Sequence, residues 1–186
     1  GTASEIYTWF LTAVYFLPLF GGMIADKIGY NKCVTTGILV MFLGYALLSI
    51  PAGAGVLAAS LMFGALAMIC VGTSLFKGNL QVMVGDLYNS PAMEGKRDSA
   101  FSIFYMAINI GAMFAPSMAK WITNVYLGQY GFVYDAANTN PEYLKALYGA
   151  YGLCFGVACV SLVVSAIIYF ACRSWFKHAD VTAKQA

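Results

Sequence analysis

The chain has 186 residues, of which 61% are hydrophobic, and its mean hydropathy is +0.74. Its ten basic and eight acidic residues are too few to cover the water-facing surface of a soluble domain of this size. This composition excludes a soluble enzyme, a nucleic-acid binder and a disordered tail, and a net charge of +2 is too small to imply a polyanionic partner. The expected environment is a lipid bilayer.

Five charge-poor runs are long enough to cross a membrane as helices, which takes about 20 mostly apolar residues. In chain order they cover 6–25, 33–50, 56–88, 98–121 and 146–172. Turn-forming residues at 51–55 join the second run to the third and predict a tight helical hairpin. The polar loop 128–142 is long for a helix connection and indicates no function. The predicted fold is an all-α membrane protein with five transmembrane helices.

Basic residues in the connections predict the orientation, because Lys and Arg accumulate on the cytoplasmic side of a membrane. Seven of them follow the first, third and fifth spans, whereas two lie near the opposite helix ends. The seven are Lys27, Lys32, Lys96, Arg97, Arg173, Lys177 and Lys184, and the two are Lys120 and Lys145. We therefore expect a multi-pass protein of the cytoplasmic (inner) membrane, with its basic loops and its C-terminus in the cytoplasm.

Small residues in the fourth span predict close packing against another helix. Ala107, Gly111, Ala115 and Ala119 recur every four residues along one stripe, which lets two helix backbones approach each other. The alternative is coincidence in a helix that is rich in alanine.

Three polar side chains share one predicted depth in the bilayer. Lys77, Asn109 and Tyr15 each lie eleven residues from the predicted cytoplasmic end of their helix, or about 17 Å at 1.5 Å per residue. A charge at this depth is costly and usually functional, and such side chains line the midplane cavities of transporters. An ammonium group there suits a carboxylate-bearing substrate, and a desolvated amine suits proton coupling. In the alternative, Lys77 extends to the inner interface, Asn109 joins two helices and Tyr15 is a core aromatic.

Neither a metal site nor a bound cofactor is predicted. The five cysteines lie within apolar runs without ligand spacing, and the single histidine, His178, lies in a polar C-terminal segment. An enzyme is not expected either, because no nucleophile has a base beside it.

The first basic loop carries a motif. Residues 22–29, Gly-Met-Ile-Ala-Asp-Lys-Ile-Gly, fit the pattern Gly-x-x-x-Asp-[Arg/Lys]-x-Gly, which resembles the loop signature of the major facilitator superfamily. The stretches 75–80, 85–88 and 97–111 resemble motifs of its proton-dependent oligopeptide transporter (POT/PTR) branch, in the same order. The resemblance covers residues 6–123 by motif and the fifth span by topology alone.

The resemblance implies a partial N-terminal bundle of that superfamily. Residues 1–178 would be helices two to six, and 179–186 would be a cytoplasmic tail toward the linker between the two bundles. Helix one, with its Glu-x-x-Glu-Arg motif, and the C-terminal bundle of the same chain would be missing. Gly78 stands where many relatives have proline, so the fixed kink of helix four would be lost.

The resemblance also implies roles for particular residues. Lys77 would bind the peptide carboxylate and take part in proton coupling, while Asn109 and Tyr15 would line the same pocket. Four loop residues would belong to the cytoplasmic gate, although the aspartate among them could equally cap the next helix. These four are Gly22, Asp26, Lys27 and Gly29.

The implied function is proton-coupled symport of di- and tripeptides by alternating access, as part of a longer chain. The coupling ion would be the proton, and the other partners would be the peptides and the lipid bilayer. One alternative is a major facilitator transporter of another small anionic solute such as nitrate. The other is a membrane scaffold without transport, in which Lys77 and Asn109 would face neighbouring helices with no cavity between them.

Overall fold

The computed structural model describes residues 1–180, and over these residues the chain is a bundle of long helices without β-strands. The helices are α1 (Thr2–Phe16), α2 (Pro18–Ile28), α3 (Tyr30–Ser49), α4 (Val56–Asp86), α5 (Arg97–Gln129) and α6 (Pro141–Ala171). Short 3-10 turns cover Glu94–Lys96, Arg173–Trp175 and Lys177–Ala179. Five helical segments are long and apolar enough to cross a membrane, with α1 and α2 forming one of them. The predicted all-α fold with five spans is confirmed.

The first span is longer than the predicted 6–25 and is interrupted. It runs from Thr2 to Ile28 and divides at Leu17, which lies between α1 and α2. Pro18 opens α2 and has no N–H to donate to the preceding turn, so the helical ladder is broken at this point. Leu17 keeps helical backbone angles, and the two helices therefore follow one another as a single membrane span.

The fourth and fifth spans also extend beyond their predicted limits of 98–121 and 146–172. α5 continues to Gln129, and α6 begins at Pro141 behind an N-cap, Asn140, whose Oδ1 accepts from Glu142 N at 3.0 Å. A helix does not stop at the edge of the hydrocarbon layer, because its backbone hydrogen bonds are as good in the polar interface. The predicted 128–142 loop shortens accordingly to the residues between Gln129 and Pro141.

The most extensive packing lies between α3 and α4. Gly37 and Gly72 face each other so closely that a Cβ on Gly72 would stand 2.8 Å from the carbonyl oxygen of Gly37 and 2.7 Å from Met41 N. A Cβ on Gly44 would stand 2.7 Å from the side chain of Ile69. Glycine at these positions lets the two backbones approach, and α3 and α4 form the centre of the bundle.

Most of the small-residue stripe of α5 is not covered by another helix among the described residues. Ala107, Gly111 and Ala115 are exposed, and open space lies where a Cβ on Gly111 would point. α5 instead contacts its neighbours near its two ends. The stripe reaches another helix at its fourth member, Ala119, whose carbonyl oxygen accepts from Cys154 Sγ of α6 at 3.6 Å, and close packing along the rest of the stripe stays a prediction. Small residues show where a helix can be approached closely, but not which helix approaches it.

The chain does not leave the bundle at residue 179, where the tail was predicted to begin. Two 3-10 turns after α6 fold back, and Ala179 is fully buried against Val34, Ile38 and Met83. Of the predicted 179–186 tail, residues 181–186 lie outside the described residues.

Candidate functional site

Lys77 and Tyr15 are brought together by the packing of α4 against the first span. The ammonium nitrogen Nζ of Lys77 lies 4.9 Å from the centre of the Tyr15 ring, which is cation–π distance. Both side chains are exposed on the surface of the described bundle, and Tyr15 is 71% exposed. The ring therefore holds the lysine from one side and leaves its ammonium group accessible from the other.

Contacts of residues close to Lys77 fix the position of α4 against the first span. Asn79 is fully buried, and its Nδ2 donates to the Leu75 carbonyl oxygen at 2.8 Å and to that of Gly21, on α2, at 3.4 Å. Gly21 itself lies directly against the carbonyl oxygen of Ser74. α4 stays helical through Gly78 without a break, as expected for a helix without proline there. Sequence analysis did not single out Gly21 or Asn79, although Asn79 belongs to the motif at 75–80 and Gly21 directly precedes the motif at 22–29.

Asn109 lies apart from the other two predicted site residues. It is exposed on α5 and lines a groove formed by that helix alone, together with residues such as Tyr105 and Met113. Neither Lys77 nor Tyr15 lines this groove. The described residues thus hold two of the three predicted side chains in contact and leave the third on a neighbouring helix.

A hydrogen bond between α4 and α5 nevertheless joins the helix faces that carry Lys77 and Asn109. Gln81 Nε2 donates to Tyr105 Oη at 3.0 Å. Gln81 follows Lys77 by four residues and Tyr105 precedes Asn109 by four, so each bonded residue shares a helix face with one site residue. The two helices run in opposite directions, and Lys77 and Asn109 therefore lie at one level, about 6 Å beyond the bonded pair. The sequence shows the spacing of four residues in both pairs, but the prediction did not draw on it.

The loop motif forms a tight junction between α2 and α3. Gly29 has φ 101°, a value that favours glycine, and it ends one helix and begins the next. Tyr30 Oη donates to Asp26 Oδ1 at 2.6 Å, so the exposed carboxylate is oriented by the next turn. Lys27 is exposed, and a Cβ on Gly22 would meet open space. The backbone conformation thus requires glycine at position 29, whereas position 22 has room for a side chain.

The three predicted basic connections meet at one end of the bundle. A Cβ on Gly85, near the end of α4, would stand 3.0 Å from Arg97 Nη2 at the start of α5. Asp180, after α6, accepts from the backbone N of Asn31 near the start of α3 at 3.0 Å. A cavity of about 900 Å³ lies at the opposite end, lined by residues such as Ser49 and Tyr126 and by none of the predicted site residues. Residues 1–180 contain no cluster of three or more metal-ligand side chains.

Five helical segments that are long and apolar enough to cross a membrane define a multi-pass membrane protein. Residues 31–185 match the family model described as the POT family. This match covers more than half of the chain, and the chain belongs to that family.

Relatives and solved structures agree with the family. The chain is 38% identical over 121 residues to a di-/tripeptide transporter of Lactobacillus helveticus, covering 64% of this chain and 23% of that protein. It is 36% identical over 131 residues to the peptide transporter YePEPT of Yersinia enterocolitica, covering 70% and 25%. A solved bacterial homologue of the human drug peptide transporters PepT1 and PepT2 superposes with a TM-score of 0.70 at 29% identity, covering 92% of this chain and 33% of that one. The chain thus spans about a quarter of the length of these curated relatives.

Proposed function

We propose that the chain is part of a proton-coupled symporter of di- and tripeptides that works by alternating access. Residues 1–178 would supply helices two to six of its N-terminal bundle, and a first helix and a C-terminal bundle of the same protein would complete it. Membership of the POT family supports this function, as do the names of the relatives in Lactobacillus and Yersinia. Transport needs two halves that rock about a shared site, so the activity belongs to the complete protein.

Lys77 is the proposed anchor for the peptide carboxylate. Its ammonium group is exposed in a helix long and apolar enough to span a membrane, and in such a helix a charge has to face protein or water. Contact with the Tyr15 ring limits the positions of the lysine side chain, so less conformational freedom is lost when a carboxylate binds. A part for the same ammonium group in proton coupling is proposed because it brings a charge into a membrane-spanning helix.

Asn109 and Tyr15 would line the remainder of the pocket. An amide both donates and accepts, which matches the peptide backbone better than a purely apolar side chain does. The observation that carries the proposal is the Gln81–Tyr105 hydrogen bond, because it supports a common level and a common direction for Lys77 and Asn109. A scaffold would require these side chains to face neighbouring helices with no space between them. Lys77 contacts the Tyr15 ring of the first span, but both it and Asn109 keep exposed surface among the described residues.

The protein would lie in the cytoplasmic membrane with the Asp26 loop, the α4–α5 connection and the segment after α6 on the cytoplasmic side. The seven basic residues of these connections support this orientation. The loop motif with Asp26, Lys27 and Gly29 would then belong to the cytoplasmic gate. Proton movement would drive the cycle without a bound cofactor.

The test uses the full-length protein in proteoliposomes, with uptake of a labelled dipeptide measured with and without an inward proton gradient. Wild type is expected to accumulate the dipeptide only with the gradient, and Lys77→Ala is expected to abolish accumulation. Lys120→Ala is the matched control, because Lys120 is an exposed lysine beyond the proposed pocket on α5. Both variants should reach the membrane in wild-type amounts.

Two outcomes would contradict the proposal in different ways. Gradient-driven uptake that is equal in wild type and Lys77→Ala would remove the lysine from the site but keep the function. Folded wild type that transports no di- or tripeptide would refute the peptide symporter itself, and uptake of nitrate or another small anion would then be measured on the same vesicles.

A further inference from the structure

The segment that follows α6 is bound to the bundle. This return segment, Arg173–Asp180, consists of two 3-10 turns and ends beneath α3 and α4. Ala179 is fully buried with Val34 and Met83, and the Phe176 ring lies 5.0 Å from that of Tyr169. Its apolar side chains thus belong to the same core as those of the two central helices.

Polar contacts of this end of the chain converge on one buried residue, Asn31, which is 5% exposed. Its backbone N donates to Asp180 Oδ1 at 3.0 Å. In the amide orientation that satisfies both ends of the side chain, Oδ1 accepts from Arg173 Nε at 2.8 Å and Nη2 at 3.0 Å, and Nδ2 donates to Tyr169 Oη at 2.6 Å. A buried amide with all of these partners holds its position firmly, because every bond lost would leave a polar group unpaired.

Asp180 supplies a cap that α3 lacks in its own sequence. The residue at the N-cap of α3 is Gly29, which has no side chain to accept a hydrogen bond from the first turn. The carboxylate that does so is separated from Asn31 by 149 positions in the chain. A negative charge is also favourable at this end of a helix because of the helix dipole. The start of α3 is therefore completed by the return segment.

We propose that the return segment, through Asp180, is a positioning element for the loop that carries Asp26. The capped residue, Asn31, lies two positions after Gly29 and next to Tyr30, whose hydroxyl donates to Asp26 Oδ1 at 2.6 Å. Release of the cap frees the first turn of α3, and with it the side chain that orients the carboxylate. The structural part of this inference stands on these contacts alone, whereas its consequence for transport rests on the proposed function.

The test measures the distance between the loop and the return segment in the full-length protein by double electron–electron resonance. Spin labels are attached to Lys27→Cys and Lys177→Cys, which replace exposed lysines, after the native cysteines are changed to serine. With Asp180 intact we expect a single narrow distance distribution. Asp180→Ala should broaden it, with the released population rising about fivefold, the usual effect of losing one capping side chain. Asp180→Asn keeps an acceptor oxygen and should restore the narrow distribution.

Asn140→Ala is the matched control, because it removes a cap of the same geometry from α6 at the opposite end of the bundle. It should leave the distance distribution unchanged. In dipeptide uptake, Asp180→Ala should lower the maximal rate at an unchanged KM, because the loop and not the peptide pocket is altered, and Asp180→Asn should recover the rate.

Three results would overturn the inference: a narrow distribution in Asp180→Ala, an equal broadening in Asn140→Ala, or a full uptake rate despite a released return segment. Either of the first two would show that Asp180 does not specifically attach the return segment to α3. The third would show that this attachment has no role at the loop that carries Asp26. A wild-type protein without any peptide uptake would refute the proposed function, and the distance measurement would still decide whether the return segment holds the loop.

Discussion

The glycine contact between α3 and α4 gives the sharpest prediction for stability. Replacing Gly72 by alanine places a Cβ 2.7 Å from Met41 N and 2.8 Å from the Gly37 carbonyl oxygen. These two obstacles are backbone atoms, which cannot rotate away, whereas the third, Met41 Cγ at 2.6 Å, belongs to a flexible side chain. Since ordinary contact begins at 3.4 Å, the two helices have to separate by about 0.7 Å. A gap of about 0.5–1 Å forfeits a quarter to a half of the dispersion energy of each contact it opens.

Gly64 on the same helix provides the matched control. It is exposed, and a Cβ there would meet no atom within 4 Å. Both substitutions gain the same helix propensity, up to about 1 kcal/mol, so the difference between the two variants isolates the steric cost. Overpacking a close contact typically costs about 1–3 kcal/mol. Gly72→Ala should therefore be less stable than Gly64→Ala by about that amount.

The assay is thermal unfolding of the purified full-length protein in detergent, followed by intrinsic fluorescence. For a cooperative unit of 150–250 residues, about 1 kcal/mol shifts the midpoint by about 2–4 °C, so the two variants should differ by about 2–12 °C. Equal midpoints, or a higher midpoint for Gly72→Ala, would refute the conclusion that backbone contact between α3 and α4 sets the packing of this bundle.

Three further predictions concern the site and the loop. Tyr15→Phe should keep the ring beneath Lys77 and leave the KM for dipeptide uptake near wild type, whereas Tyr15→Ala should raise it about two- to fivefold, as expected for an exposed cation–π contact. Gln81→Leu removes the hydrogen bond to α5, worth about 0.5–1.5 kcal/mol, and should lower the unfolding midpoint together with the uptake rate. Gly29→Ala forces a non-glycine residue to φ 101° and should reduce stability by about 1–3 kcal/mol, whereas Gly22→Ala, with open space around it, should be neutral in the same unfolding assay.

The number and order of the spans could be predicted because a hydrocarbon layer imposes a minimum length on apolar runs. The ends could not, since hydropathy reports only the part of a helix inside that layer. α5 continues through polar and aromatic residues to Gln129, and α6 starts five residues before its predicted beginning at 146. The signal for the second error was present, because Asn140 followed by Pro141 is a typical helix start.

The relative level of two candidate site residues was predictable, but the direction in which the side chains point was predictable only in part. Counting from helix ends placed Lys77, Asn109 and Tyr15 at one level, and the contact between Lys77 and Tyr15 agrees with that count. Which face of each helix points inward depends on contacts between helices, and a single sequence shows these only as small or polar residues. The return segment was missed for the same reason, because Asp180 and Asn31 meet only through the folding of the whole chain.

Taken together, the contacts divide the described helices into a rigid part and a set of open faces. α3 and α4 meet backbone to backbone at Gly37 and Gly72, and α2 joins them through the contact of Gly21 with Ser74. Such contacts leave little room for sliding, because interfaces this close tolerate only small displacements. The faces that carry Lys77 and Asn109 are open instead. Under the proposed function, a movement that closes a pocket over Lys77 would have to bring other helices toward these faces, while α2, α3 and α4 move as one body.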